Sequence, residues 1–284
     1  MHDVLEDMRI DLELRGLLDN TVKTYLRYAG KFVDEIGIPL DQVTRDDVRH
    51  YLHRLRRRGV SPQTRNMYLT ATRFLFASTL QRPDVTVGIR RARVKTKVPL
   101  VLSGSEVERI LKGIRSVTHR AMVAILYGSG LRVSEMCRLR IGDIDSKRMR
   151  LLIAQGKTGQ RYARLTPAGL KALREHYRSR RPQGPYVFPG RAASKPITRV
   201  AVAKALSKVG QELGLRKRVY PHALRHSLAV HLLDLGADLR TVQVLLGHRR
   251  ITSTTAYLHL SQAQLLRAPS PLDAFGTPRA RRLG

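Results

Sequence analysis

Four short segments carry residue types suited to chemistry on an anion. They are GLRVSEMCRL (130–139), QGKTGQRYARL (155–165), HALRHS (222–227) and LGHRRITSTTAYLH (246–259). Taken singly, each points to little. An arginine after a glycine turn is usually an ordinary surface residue. Gly156-Lys157-Thr158 resembles a phosphate loop, yet the leading glycine of GxxxxGK[ST] is missing. His222 and His226 are four apart, as in the zinc motif HExxH, but Ala223 stands where the glutamate belongs. No cysteine pair or carboxylate cluster supports a metal, and no cofactor is expected. Taken together, the segments hold two arginines, a lysine, histidines and a tyrosine in a fixed order. Forked guanidiniums at Arg132 and Arg225 can neutralise the charge that grows on the nonbridging oxygens of a phosphodiester under attack. Tyr257, with a hydroxyl near pKa 10 in water, can be the attacking group.

The elements that must position these residues are mostly helical. Apolar spacing predicts four helices in the first ~85 residues: Val4 to Leu17, Asn20 (as N-cap) to Ile36, Thr44 to Gly59, and Ser61-Pro62 to Leu80. Thr44 with Asp47, and Ser103 with Glu106, resemble capping boxes, and Pro62 suits a first helical turn. Residues 88–102, GIRRARVKTKVPLVL, are basic, lack helical periodicity and read as a linker. Beyond it, helices are predicted at 103–115, 117–128, 167–181, 198–213, 221–236 and 238–246. Short strands are expected at Arg150–Ala154 and Tyr162–Leu165 around the turn GKTGQ, with Val187-Phe188 as a third. The last ~20 residues read as loosely structured.

Composition narrows the partner. Net charge is +31 with pI about 11.4. Residues 1–50 hold 7 Lys/Arg against 11 Asp/Glu, so the excess is spread over the remainder of the chain. This balance favours nucleic acid over a membrane surface, since no basic amphipathic anchor or lipidation motif is present. The single cysteine, Cys137, excludes a disulfide framework, and it reads as a small core residue. The opening MHDVLEDMRI is acidic and does not read as a secretory leader, and no segment is apolar enough to span a bilayer. A cytoplasmic, nucleoid-associated protein is expected.

The order Arg132, Lys157, His222-x-x-Arg225, His248, Tyr257, with GLRVSE around the first arginine and LGH nine residues before the tyrosine, resembles the tyrosine recombinase (phage integrase) family, of the Xer-like or mobile-element type. The resemblance implies a mainly α fold. An N-terminal four-helix, SAM-like DNA-binding domain (1–87) is joined by the linker (88–102) to an α-rich catalytic domain with a small antiparallel sheet (103–284). It implies a site-specific recombinase that cuts and rejoins double-stranded DNA through a 3′-phosphotyrosine, in integration and excision of a mobile element or in chromosome-dimer resolution. The alternatives are a type IB topoisomerase and a non-catalytic DNA-binding regulator. The resemblance assigns His222 to proton handling or phosphate contact, His248 to a hydrogen bond with the phosphate, and Lys157 to protonation of the leaving 5′ oxygen. It implies a homotetramer on two DNA sites, with or without a partner recombinase, and docking of a C-terminal segment (261–276) on a neighbour. The two domains are expected to clamp the duplex. Glu135 is read as buttressing an arginine, His226 and His259 as structural or as supporting the residues that meet the phosphate, and Arg161 and Arg164 as facing backbone phosphates or solvent.

Overall fold

Helices begin where short polar side chains close the first turn. In the computed structural model, which describes residues 4–94, 98–156, 159–248, 251–255 and 257–258, the chain divides into two units at Lys97/Val98. The first comprises α1 (Val4–Leu14), α2 (Asp19–Ile36), α3 (Arg45–Arg57) and α4 (Pro62–Phe74). Thr44 accepts from the Asp47 backbone N–H while the Asp47 carboxylate accepts from the Thr44 N–H at 2.9 Å, the reciprocal box expected. Ser61 caps α4 with Pro62 in its first turn. Asn20 is not a cap: α2 starts one residue earlier, after extended Leu18, with no side-chain cap. The fourth helix also departs from expectation. It widens into a π turn at Leu75–Thr79, closed by the Leu80 N–H on the Leu75 carbonyl at 2.9 Å. Leu75 and Phe76, consecutive in the chain, are both fully buried there. They join Met8, Leu12, Phe32 and Tyr51 in one core, with Phe32 edge-on to Tyr51 at 5.0 Å.

The second unit is built around α6 (Val117–Gly128), whose residues Ala121–Leu126 are all buried. A helix apolar on every side belongs inside a fold. Helices α8 (Pro167–Arg180), α9 (Arg199–Glu212) and α10 (Pro221–Asp234) pack against it. The remaining helices are α5 (Gly104–Gly113), capped by the expected Ser103–Glu106 box, the short α7 (Val133–Cys137), α11 (Leu239–Leu246) and α12 (Thr252–Thr255). One antiparallel sheet has the order β1-β2-β3, from Ile144–Asp145, Arg150–Gly156 and Gly159–Arg164. Its register pairs Ile144 with Leu151 and Leu151 with Ala163, and shifts between Ile153 and Gly156. The third strand is therefore Ile144–Asp145 and not Val187-Phe188. Val187 and Phe188 are buried core residues whose backbone bonds go to Leu139, to Ile197 and to the His176 ring. Pro185, Pro189 and Pro196 supply no N–H around them, so a ladder cannot extend.

The basic stretch between the units is tied at each end. Asn66 exchanges two hydrogen bonds with Ala92, at 2.9 and 2.8 Å, and Arg73 donates to the Ile89 carbonyl. On the other side Leu102 donates to Ser227 Oγ at 2.8 Å, and Lys217 donates to the Val101 carbonyl. Residues 95–97 lie outside the described residues.

Candidate active site

Helix α10 sets the geometry. Extended Tyr220 and Pro221 start the helix, so His222, Arg225 and His226 fall at i, i+3 and i+4 on one face. Arg225 is 3% exposed. Its guanidinium donates to the Gly130 and Leu246 carbonyls. Both acceptors matter. Leu246 ends α11, where carbonyls lack helical partners and carry partial negative charge, and Gly130 lies two residues before Arg132. Burial, and then the nearby Arg132 cation, push the Arg225 pKa down to about 10. Arg225 is thus still charged at neutral pH.

Arg132 heads α7 and is three-quarters buried. Glu135, its side chain 2% exposed, accepts from the Arg132 backbone N–H and from Nη1, each at 2.8 Å. Arg132 Nη2 donates to the Gly247 carbonyl at 2.9 Å. Burial alone would raise the Glu135 pKa. The Arg132 N–H and the Arg161 and Arg132 guanidiniums outweigh it and hold the carboxyl below its ordinary range. The expected buttress is present.

Two glycines of the motifs have physical reasons. Gly130 and Gly247 sit at φ +61° and +60°, in the left-handed region. A Cβ on Gly130 would lie 2.8 Å from Leu228 Cδ2, and one on Gly247 would lie 2.5 Å from Arg161 Nε. The GLR and LGH segments each combine a left-handed turn, a close approach and a carbonyl offered to an active-site arginine.

Following Gly247, His248 Nδ1 pairs with Thr254 Oγ1 at 2.9 Å. Gln243 Nε2 donates to the His248 carbonyl at 3.0 Å, fixing the turn. Burial, then Arg225 and Arg132, push the His248 pKa down to about 4. Its ring stacks on Tyr257 with centroids 6.3 Å apart. Tyr257 is 3% exposed, packed with Ala229, Val230, Leu233, Val242 and Leu246. Its hydroxyl is 2.8 Å from His226 Nδ1. Burial raises the Tyr257 pKa, with Arg225 acting against it. His226 is itself pushed down to about 4 by burial, then by His222 and Arg225, so it is neutral at pH 7 and can accept the phenol O–H. His222, at the exposed mouth, stacks on His226 at 6.1 Å. Its pKa is lowered by desolvation of the ring and by Arg225 and Arg132.

Five of the six residues singled out from sequence are therefore brought together: Arg225 and Arg132 on the carbonyls of consecutive residues, Leu246 and Gly247, and His222, His248 and Tyr257 through ring contacts and His226. Lys157 lies outside the described residues, as do His259, Arg249-Arg250 and the segment 261–276. Two further residues enter the site. His226, read as structural or supporting, takes the supporting place: it holds the candidate nucleophile's hydroxyl. Arg161, read as facing phosphates or solvent, instead turns inward onto Glu135 Oε2 at 2.9 Å. Arg164 is exposed and Cys137 is buried, as its core reading requires.

Known proteins match both units in sequence. Residues 101–264 match the phage integrase family, and residues 4–84 match the phage integrase N-terminal SAM-like domain. The chain is 34% identical to tyrosine recombinase XerC of Xylella fastidiosa, covering 94% of each protein. It is 30% identical to tyrosine recombinase XerA of Pyrococcus horikoshii, covering 94% of this chain and 92% of that one. Among solved structures, the Tn1549 transposon integrase in complex with transposon right end DNA shares the fold, with a TM-score of 0.74, 19% identity and coverage of 96% and 97%. With sequence matches over both units and recombinase relatives along nearly its whole length, the chain belongs to the phage integrase family of site-specific tyrosine recombinases, enzymes that cleave and rejoin DNA strands.

Proposed function

We propose that Tyr257 is the nucleophile of this recombinase and that Arg132, Arg225, His248, His222 and Lys157 complete its active site on double-stranded DNA. The observation that carries the reading is that both arginines bind carbonyls of consecutive residues, Leu246 and Gly247, in the turn before His248. Arg225 binds Gly130 and Leu246, Arg132 binds Gly247, and these turns lead directly into Arg132 and His248, with Tyr257 stacked on His248. In the reaction, Tyr257 Oη attacks the phosphorus and the bond to the 5′ oxygen breaks. The phenol passes its proton to His222, and Lys157 gives one to the leaving oxygen. The 3′-phosphotyrosine keeps the ester's energy, so the free 5′ hydroxyl of either strand can reverse the step without a nucleotide. Two buried guanidiniums stabilise the charge on the nonbridging oxygens where water cannot compete. Thr254 donating to His248 Nδ1 would fix the tautomer whose Nε2–H faces the phosphate. The buried, hydrogen-bonded hydroxyl of Tyr257 must leave His226 to reach the phosphorus.

The finer reading is a tetramer holding two sites, with or without a partner recombinase, acting on nucleoid DNA in the cytoplasm. Integration and excision of a mobile element, or chromosome-dimer resolution, are its settings. The test uses a nicked suicide duplex bearing a half-site selected from a random duplex pool, in excess EDTA. The wild type should form a covalent adduct and recombine two sites. Tyr257→Phe should bind with near-normal affinity and form none. An adduct with that variant overturns the assignment, and relaxation of supercoils without two-site products overturns recombination in favour of a topoisomerase.

A further inference from the structure

Arg161 lies on β3, 26 residues from the carboxylate it binds. Glu135 could offer both oxygens to the Arg132 fork, the usual bidentate pair. It does not. Oε1 takes Arg132 Nη1, while Oε2 is occupied by the Arg132 backbone N–H and by Arg161 Nη2. Arg132 Nη2 is thereby left to bind the Gly247 carbonyl, the residue before His248. Arg161 also lies against Gly247, where a Cβ would come within 2.5 Å of Nε and 2.8 Å of Cζ. Arg132, Glu135, Arg161 and Gly247 thus close a ring.

Arg161 is also under-partnered. Its side chain is 15% exposed, and Nε and Nη1 are buried with no hydrogen-bond partner among the described residues. Burying part of a cation in this way is costly unless its charge or shape is used. The charges show a use. Among the described residues, Arg132, Arg161 and Arg225 lie around one carboxylate, that of Glu135, a surplus of two positive charges. A phosphodiester under attack passes from one negative charge towards two. Without Arg161 the surplus falls to one, and Arg132 is free to close both fork nitrogens on Glu135 and turn from the phosphate.

We infer that Arg161 is a positioning residue for Arg132: by holding Glu135 Oε2 and lying under Gly247, it keeps the Arg132 fork open towards the scissile phosphate and adds positive charge beside it. The inference rests on the Tyr257 reading above, in which Arg132 contacts that phosphate.

The experiment measures single-turnover cleavage of the suicide duplex by the full chain, with DNA affinity and unfolding temperature recorded alongside. Arg161→Gln should slow cleavage on the order of 10- to 100-fold, the loss typical when a group orienting a functional side chain is removed, with DNA affinity near wild type. Adding Glu135→Gln to Arg161→Gln restores the surplus of two and removes the competing carboxylate, so the double variant should recover at least part of that loss. A methylphosphonate at the scissile position removes one nonbridging charge and should shrink the Arg161→Gln defect, which a purely structural role would leave unchanged. Should Arg161→Gln not fold, Arg161→Lys, which keeps the charge but not the flat fork, should show a smaller loss in the same direction. Wild-type rates in the single variants, no recovery in the double variant, or equal defects on phosphodiester and methylphosphonate overturn the inference. If the wild type forms no adduct, or Tyr257→Phe does, the underlying site assignment fails instead.

Discussion

Replacing Gly247 by alanine perturbs the active site through backbone and packing at once. At φ +60° a Cβ costs roughly 1–2 kcal/mol. The new Cβ would also sit 2.5 Å from Arg161 Nε, a separation real Cβ atoms essentially never show. The guanidinium is the end of a flexible side chain, but here it is held by Glu135, whose side chain is 2% exposed. Moving it away sacrifices a hydrogen bond to a charged group, about 1.5–3 kcal/mol. Together the two costs come to about 2.5–5 kcal/mol. For a unit of this size each kcal/mol lowers the unfolding temperature by roughly 2–4 °C, so a fall of about 10 °C is expected. Scanning calorimetry of Gly247→Ala, Arg161→Ala and the double variant checks the reasoning. In the Arg161→Ala background the clash has no partner, and only the backbone cost of about 1–2 kcal/mol should remain. The coupling between the two substitutions should therefore be at least ~1.5 kcal/mol. Additive losses, with no coupling, would refute the close packing of Gly247 on Arg161. Cleavage should fall with stability, because Arg132 loses its Gly247 acceptor geometry.

Three further outcomes follow from the site. His226 and His248 both have pKa values pushed down to about 4, below the ordinary value of 6.5. The unfolded chain then binds more protons between these limits, so stability should be intact above pH 6.5 and fall as pH drops from 6.5 towards 4. Thermal melts across that window should show it, and His226→Phe should flatten the dependence; a pH-independent midpoint contradicts the burial of these rings. Arg132→Ala and Arg225→Ala should each lose about 10²-fold or more in cleavage rate. Arg225→Ala should be the more destabilised of the two, since Arg225 is 3% exposed against 25% for the Arg132 side chain and its loss leaves a cavity as well as two orphaned carbonyls; equal melting temperatures would contradict this. Lys157→Ala should be rescued when sulfur replaces the leaving 5′ oxygen, because a thiolate leaves without a proton; no rescue in a burst-cleavage assay removes Lys157 from the role of general acid.

Sequence alone determined the features that are local. The Thr44–Asp47 and Ser103–Glu106 caps, the Pro62 start of α4 and the helical character of both units depend on side chains three or four positions apart, which meet whatever the remainder of the chain does. The motif order also named Arg132, His222, Arg225, His248 and Tyr257, and the structure links all five. Tertiary structure decided what those residues touch. The third strand passed to Ile144–Asp145 because prolines around Val187-Phe188 interrupt a ladder, and strand pairing depends on register with a distant partner. His226 became the partner of Tyr257 across 31 residues, and Arg161 that of Glu135 across 26. Neither pairing has a sequence period, because it is set by where α10, β3 and the Gly247 turn converge. In that buried space, where water cannot satisfy them, the Tyr257 hydroxyl and the Glu135 carboxylate take the partners that the fold brings within reach.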